Sequence, residues 1–147
     1  MIDKIMENQN ATFYIKKHPF DKRTIELKGC KNIVTLSKEI DIQEILPFVD
    51  VLITDYSSVF FDFMILNRPI ILYCYDLDKY KNKRGFIIDF DNILSKLIVK
   101  NKEEFIERLI NINKAELFDL DPEIKKLVLS EEVLDSCCNI FDYIESH

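Results

Sequence analysis

Glycine is nearly missing from this chain: two in 147 residues. A dinucleotide fold built on a Gly-rich turn needs several at fixed spacing, so that class is disfavoured. Histidine is as scarce, with His18 inside the chain and His147 as its last residue. Among four cysteines, Cys30, Cys74, Cys137 and Cys138, none forms a C-x-x-C pair. A zinc site is therefore not expected, and the thiols read as buried and reduced. No uncharged apolar run approaches the roughly 18 residues of a membrane-spanning helix. The start, "MIDKIMENQN", lacks the basic head and apolar centre of a signal peptide. A cytoplasmic location is the default expectation.

What is present is a globular composition, 48% hydrophobic and 31% charged, of a length that suggests one domain. The net charge of −6 argues against nonspecific nucleic-acid binding. The charge is uneven. Lys16, Lys17, Lys22, Arg23, Lys28, Lys31 and Lys38 face only Asp21 and Glu26 between Tyr14 and Lys38, while the chain after Phe90 is mostly acidic. Such a stretch is either a solvated surface or a patch that draws a phosphorylated ligand or an anionic membrane.

Short apolar runs alternate with helical patterns. "ATFYIKKH", "KNIVTLS", "VLITD" and "PIILYCY" read as strands, with "FIIDF" and "LIV" as weaker ones. Ile2 to Asn8 reads as a helical turn or two, and Asp41 as the cap of a short helix limited by Pro47. "SSVFFDFMILN" predicts a buried helix of about three turns, ended by Asn67-Arg68-Pro69. "DLDKYKNKRGF" reads as a charged loop or short helix. "NKEEFIERLINI" and "SEEVLDSCCNIFDYIES" are amphipathic helices. Strands apolar on both faces and alternating with helices predict a doubly wound, mostly parallel, Rossmann-like α/β sheet. Ligands of such sheets bind at the carboxyl ends of the strands.

Two polar clusters fall at such ends. In "VLITDYSSVFF", Thr54, Asp55, Tyr56, Ser57 and Ser58 lie between a strand and the next helix. The hydroxyls either cap their own helix or, with its free N–H groups, cradle a phosphate. Asp62, one turn after Ser58, either supports that loop or lies on an exposed edge. In "KKHPF", His18 closes the first strand, and Pro19 biases it toward extended backbone. Parallel strands would open His18 and Asp55 onto one sheet edge, where a histidine donates to phosphate or moves a proton. Arg84, in "KNKRGF", is either a third phosphate ligand or a surface arginine.

"KKHP", "ITDYSSVFFDF", "RPIILYCYDLDKY" and "RGFIIDF", in this order, resemble the CDP-glycerol glycerophosphotransferases of teichoic-acid and capsular polymer synthesis, across Phe13 to Ile112. The resemblance implies the second domain of a GT-B enzyme, which binds the activated donor, CDP-glycerol or a related CDP-alcohol. It implies that His18 contacts the donor phosphate and is needed for transfer, flanked by Lys16 and Lys17. Thr54 to Ser58 would then cradle the pyrophosphate, and CMP would leave. No cofactor or metal is implied. The segment typical of the family's first domain is not found. The expectation is one donor-binding domain over residues 1–147, with the first domain absent and an N-terminal half or partner subunit as its complement. Peripheral contact with the inner face of the cell membrane belongs to the same expectation. Two rival readings stay open: half of a GT-B enzyme using a nucleotide sugar, and a non-catalytic interaction module.

Overall fold

The computed structural model describes residues 1–18, 20–86, 90–113, 122, 124 and 135–146. It divides into two compact units, Met1–Val49 and Asp50–His147.

The first unit opens with helix α1 (Ile2–Asn8). Strands β1 (Phe13–Ile15) and β2 (Ile33–Thr35) pair in parallel, Phe13 opposite Ile33 and Ile15 opposite Thr35. The Asp3 side chain accepts from the Lys31 and Asn32 N–H groups at 2.9 and 2.7 Å, tying α1 to the entry of β2. Both strands are shorter than the apolar runs suggested. Beyond Ile15 the chain is held by side chains rather than by a ladder: the Lys16 ammonium donates to the carbonyls of Ser37 and Lys38 at 2.8 and 2.9 Å. Helix α2 (Ile42–Ile45) begins as expected, with the Asp41 carboxylate accepting from the Gln43 N–H at 3.0 Å. A 3₁₀ turn over Leu46–Phe48 takes in Pro47.

The second unit holds a parallel sheet in the order β3 (Leu52–Thr54), β4 (Ile70–Tyr73), β5 (Ile98–Val99). Central β4 explains the core. Ile70, Ile71 and Leu72 are each at most 1% exposed, and successive strand residues point to opposite faces, so this strand is covered on both sides. Helix α3 (Val59–Met64) links β3 to β4 and buries Phe60, Phe63 and Met64. Helices α4 (Leu77–Arg84) and α5 (Phe90–Ile93) lie between β4 and β5. Helix α6 (Lys102–Ile110) packs on β4, with the Phe105 ring 5.0 Å from that of Tyr73. Helix α7 (Ser136–Glu145) carries Ile140, Phe141 and Ile144 exposed.

The mixed α/β class with parallel strands is the one the pattern predicted. Details differ. Helix α3 is half the expected length; i+3 bonds from Leu66 and Asn67 tighten its end, and Asn67 takes a left-handed φ of 49°. Exposed Ile65 and Asp62 show that it is covered on one side, not all round. Phe90, the end of the "FIIDF" run, begins α5 instead of ending a strand. Positions 87–89 of that run, and 130–134 of the last helical pattern, lie outside the described residues. Only Cys74 of the four cysteines is buried; Cys30 is half-buried, and Cys137 and Cys138 are exposed on α7.

Candidate functional site

Strand β3 ends at Thr54, and the chain turns through Asp55, Tyr56 and Ser57 to the start of α3 at Val59. Asp55, Ser57 and Ser58 are exposed, and Thr54 is half-buried. Capping engages one of the two serine hydroxyls, and only at long range. Ser58 occupies the cap position without a side-chain cap bond, and the Ser57 hydroxyl accepts from the Val59 N–H at a long 3.4 Å. Asp62 lies on the exposed side of α3.

Tyr56 turns the other way. Its hydroxyl donates to Asp76 Oδ1 at 2.8 Å, and its ring stacks on Tyr80 at 3.8 Å and 18°. The Phe86 and Phe90 rings close the cluster, 6.0 and 6.1 Å from Tyr56 and stacked on each other at 4.4 Å. Burial, then the bond to Asp76, holds the Tyr56 phenol well above its ordinary value. Beside it, burial and next the Asp55 carboxylate push the Cys74 thiol up to about 12. The Arg84 guanidinium lies 5.9 Å over the Tyr80 ring. The structure thus links Arg84 to the Thr54–Ser58 loop through the Tyr80–Tyr56 stack. Asp76 was missed in the sequence. It occupies the cap position of α4 yet makes no cap bond, because it receives the Tyr56 hydroxyl. Its signal was there: an acid just past the carboxyl end of an apolar strand.

The other predicted residues belong to the first unit. His18 is exposed, three residues past the end of β1, with Nδ1 accepting from the Phe20 N–H at 3.2 Å. The two lysines before it are bonded to main chain: Lys16 to Ser37 and Lys38, Lys17 to the Arg23 carbonyl. Among the described residues, no group of three or more His, Cys, Asp or Glu side chains is placed to hold a metal ion. Among them also, no helix is long and apolar enough to cross a membrane.

Parallel strands alternating with helices define a Rossmann-like α/β class. The chain belongs, within it, to the CDP-Glycerol:Poly(glycerophosphate) glycerophosphotransferase family, whose model matches residues 4–125. It is 33% identical to the teichoic acid glycerol-phosphate primase of Bacillus subtilis (strain 168), over 75% of this chain and 30% of that one. It is 37% identical to a teichoic acid poly(glycerol phosphate) polymerase of Bacillus spizizenii, over 81% of this chain and 31% of that one. The teichoic acid glycerol-phosphate transferase of Staphylococcus aureus is 47% identical over 51% of this chain and 20% of its own. Among solved structures, the wall teichoic acid polymerase TagF, as a histidine-to-asparagine variant soaked with CDPG, superposes with a TM-score of 0.74 at 28% identity. That match covers 99% of this chain and 38% of TagF. The chain therefore spans between a fifth and two fifths of the length of these four proteins.

Proposed function

We propose that this chain is the donor-binding part of a glycerophosphotransferase and holds CDP-glycerol or a related CDP-alcohol by its phosphates. The observation that carries the reading is the pairing of family membership over residues 4–125 with an exposed loop at the carboxyl end of β3 in which Ser58 makes no side-chain cap bond. Thr54, Asp55, Ser57 and Ser58 form the cradle, with main-chain N–H groups and hydroxyls as donors. Tyr56 anchors the loop from beneath, Asp62 supports it from α3, and Arg84 adds positive charge near it. His18, flanked by Lys16 and Lys17, is assigned phosphate contact by the family motif alone.

In the reaction, an acceptor hydroxyl oxygen bonds to the glycerol-bearing phosphorus, the bridging P–O bond breaks, and CMP leaves with the electron pair. No metal or cofactor enters; hydrogen-bond donors carry the charge. The rest of the catalytic apparatus comes from an N-terminal GT-B half or partner subunit, so this chain alone turns over nothing. Its setting is the cytoplasmic side of the membrane, with Lys22, Lys28, Lys31 and Lys38, all exposed, available to an anionic lipid surface.

A thermal-shift panel of CDP-glycerol, CDP-ribitol, UDP-sugars and CMP-sugars tests the donor class. Stabilisation by the CDP-alcohols alone is expected. A shift with a nucleotide sugar instead would make the chain part of a glycosyltransferase. Dimerisation with no nucleotide response would favour the interaction module.

A further inference from the structure

We infer that the Lys17–Arg23 turn fixes the His18 imidazole in its Nε2–H tautomer, and that Asp21 is the positioning residue that holds the turn. A neutral imidazole has one donor and one acceptor nitrogen. The Phe20 N–H donates to Nδ1 at 3.2 Å, so the ring proton belongs on Nε2. The turn that sets this bond is closed on itself. Asp21's N–H donates to the His18 carbonyl at 2.8 Å. Its carboxylate accepts from the Arg23 N–H at 2.9 Å and from the guanidinium at 3.0 Å (Nε) and 2.8 Å (Nη2). The Arg23 carbonyl in turn receives the Lys17 ammonium. The Asp21 N–H and Lys17 bonds span Phe20, and the Asp21 carboxylate holds Arg23, the acceptor of the Lys17 bond, so together they set the distance from the Phe20 N–H to the ring.

The tautomer assigns a direction of work. An Nε2–H offers a donor to a phosphate oxygen and cannot, in that state, take the proton of an attacking hydroxyl. His18 therefore supplies charge stabilisation, and the proton of the acceptor goes to a different group. This deepens the reading of His18 as a phosphate ligand and rests on it for the ligand, but not for the tautomer.

The test is nitrogen NMR of the ¹⁵N-labelled chain, with His18→Gln to separate the His18 signals from those of His147. In the ligand-free neutral chain, His18 should show an unprotonated Nδ1 and a protonated Nε2 without tautomer averaging. The Phe20 amide should shift as the imidazole titrates, because protonating Nδ1 removes its acceptor. Asp21→Ala should bring tautomer averaging and uncouple the Phe20 amide, while the core signals of Leu72 and Val99 stay in place. A protonated Nδ1, averaging in the wild type, or an Asp21→Ala spectrum identical to wild type would each overturn the inference. Adding CDP-glycerol is the separate arm. A shift at Nε2–H is expected, and its absence would overturn the phosphate contact while leaving the tautomer result to stand by itself.

Discussion

Tyr56 and its neighbours divide two tasks within five residues. Asp55, Ser57 and Ser58 face solvent, while Tyr56 is tied back to Asp76 and Tyr80. Tyr56→Phe keeps the stack and loses the hydroxyl, so urea unfolding should show a loss of about 1 kcal/mol, from a half-exposed hydrogen bond to a charged group. No measurable loss would mean that the bond does not form in solution. Cys74 gives a chemical check on the same corner. With its thiol pushed up to about 12 it stays protonated at neutral pH. A thiol reagent near about pH 8 should label the exposed Cys137 and Cys138 in the folded chain and Cys74 only after unfolding. At Asp21, hydrogen bonds from Arg23 hold the carboxyl well below the usual carboxylate range. A lowered folded value means its contribution is present above the unfolded pKa and is lost only as pH falls through the folded one. Its carboxyl carbon should keep the ionised NMR shift at pH about 3.9, where a free aspartate is half protonated; a midpoint there or higher would contradict the turn. The residues that carry charge or hydroxyls at strand ends were legible in the sequence because their type and place agree. The side-chain engagements were not. Nothing in "KKHP" says that Lys16 and Lys17 reach carbonyls six to 22 residues away, nor that Asp76 receives Tyr56.

Among the elements, caps and alternation were the readable features. At α6, the Asn101 side chain accepts from the Glu104 N–H at 2.9 Å, and the Glu104 carboxylate accepts from the Lys100 N–H at 2.8 Å. Asn101→Ala should cost about 1 kcal/mol in chemical denaturation; an unchanged midpoint would mean the cap is idle. In α3, Phe63 is fully buried, and Phe63→Ala should cost about 3–5 kcal/mol. A cost below about 1 kcal/mol would contradict its place in the core. Element lengths were less legible. "FIIDF" is short, apolar and aromatic, and periodicity alone cannot assign such a run. Phe90 enters a helix because its ring packs on Phe86 and Phe60. Helix α3 stops early because Pro69 and the left-handed Asn67 close it before its apolar pattern ends.

For the whole molecule, the parallel α/β class was legible because β4 is apolar at every position, which a sheet covered on both faces requires. Its division into units at Val49 and Asp50 was not, since no glycine- or proline-rich linker marks it. The family was legible from ordered motifs spread along both units, and the family model covers them. The central claim is that the Thr54–Ser58 loop of the second unit holds a CDP-alcohol donor by its phosphates. Calorimetric titration of the chain with CDP-glycerol tests it most directly. The account predicts saturable binding that Ser57→Ala abolishes, with the fold intact by circular dichroism. Binding that Ser57→Ala leaves unaltered, or no binding by the folded wild-type chain, would contradict it.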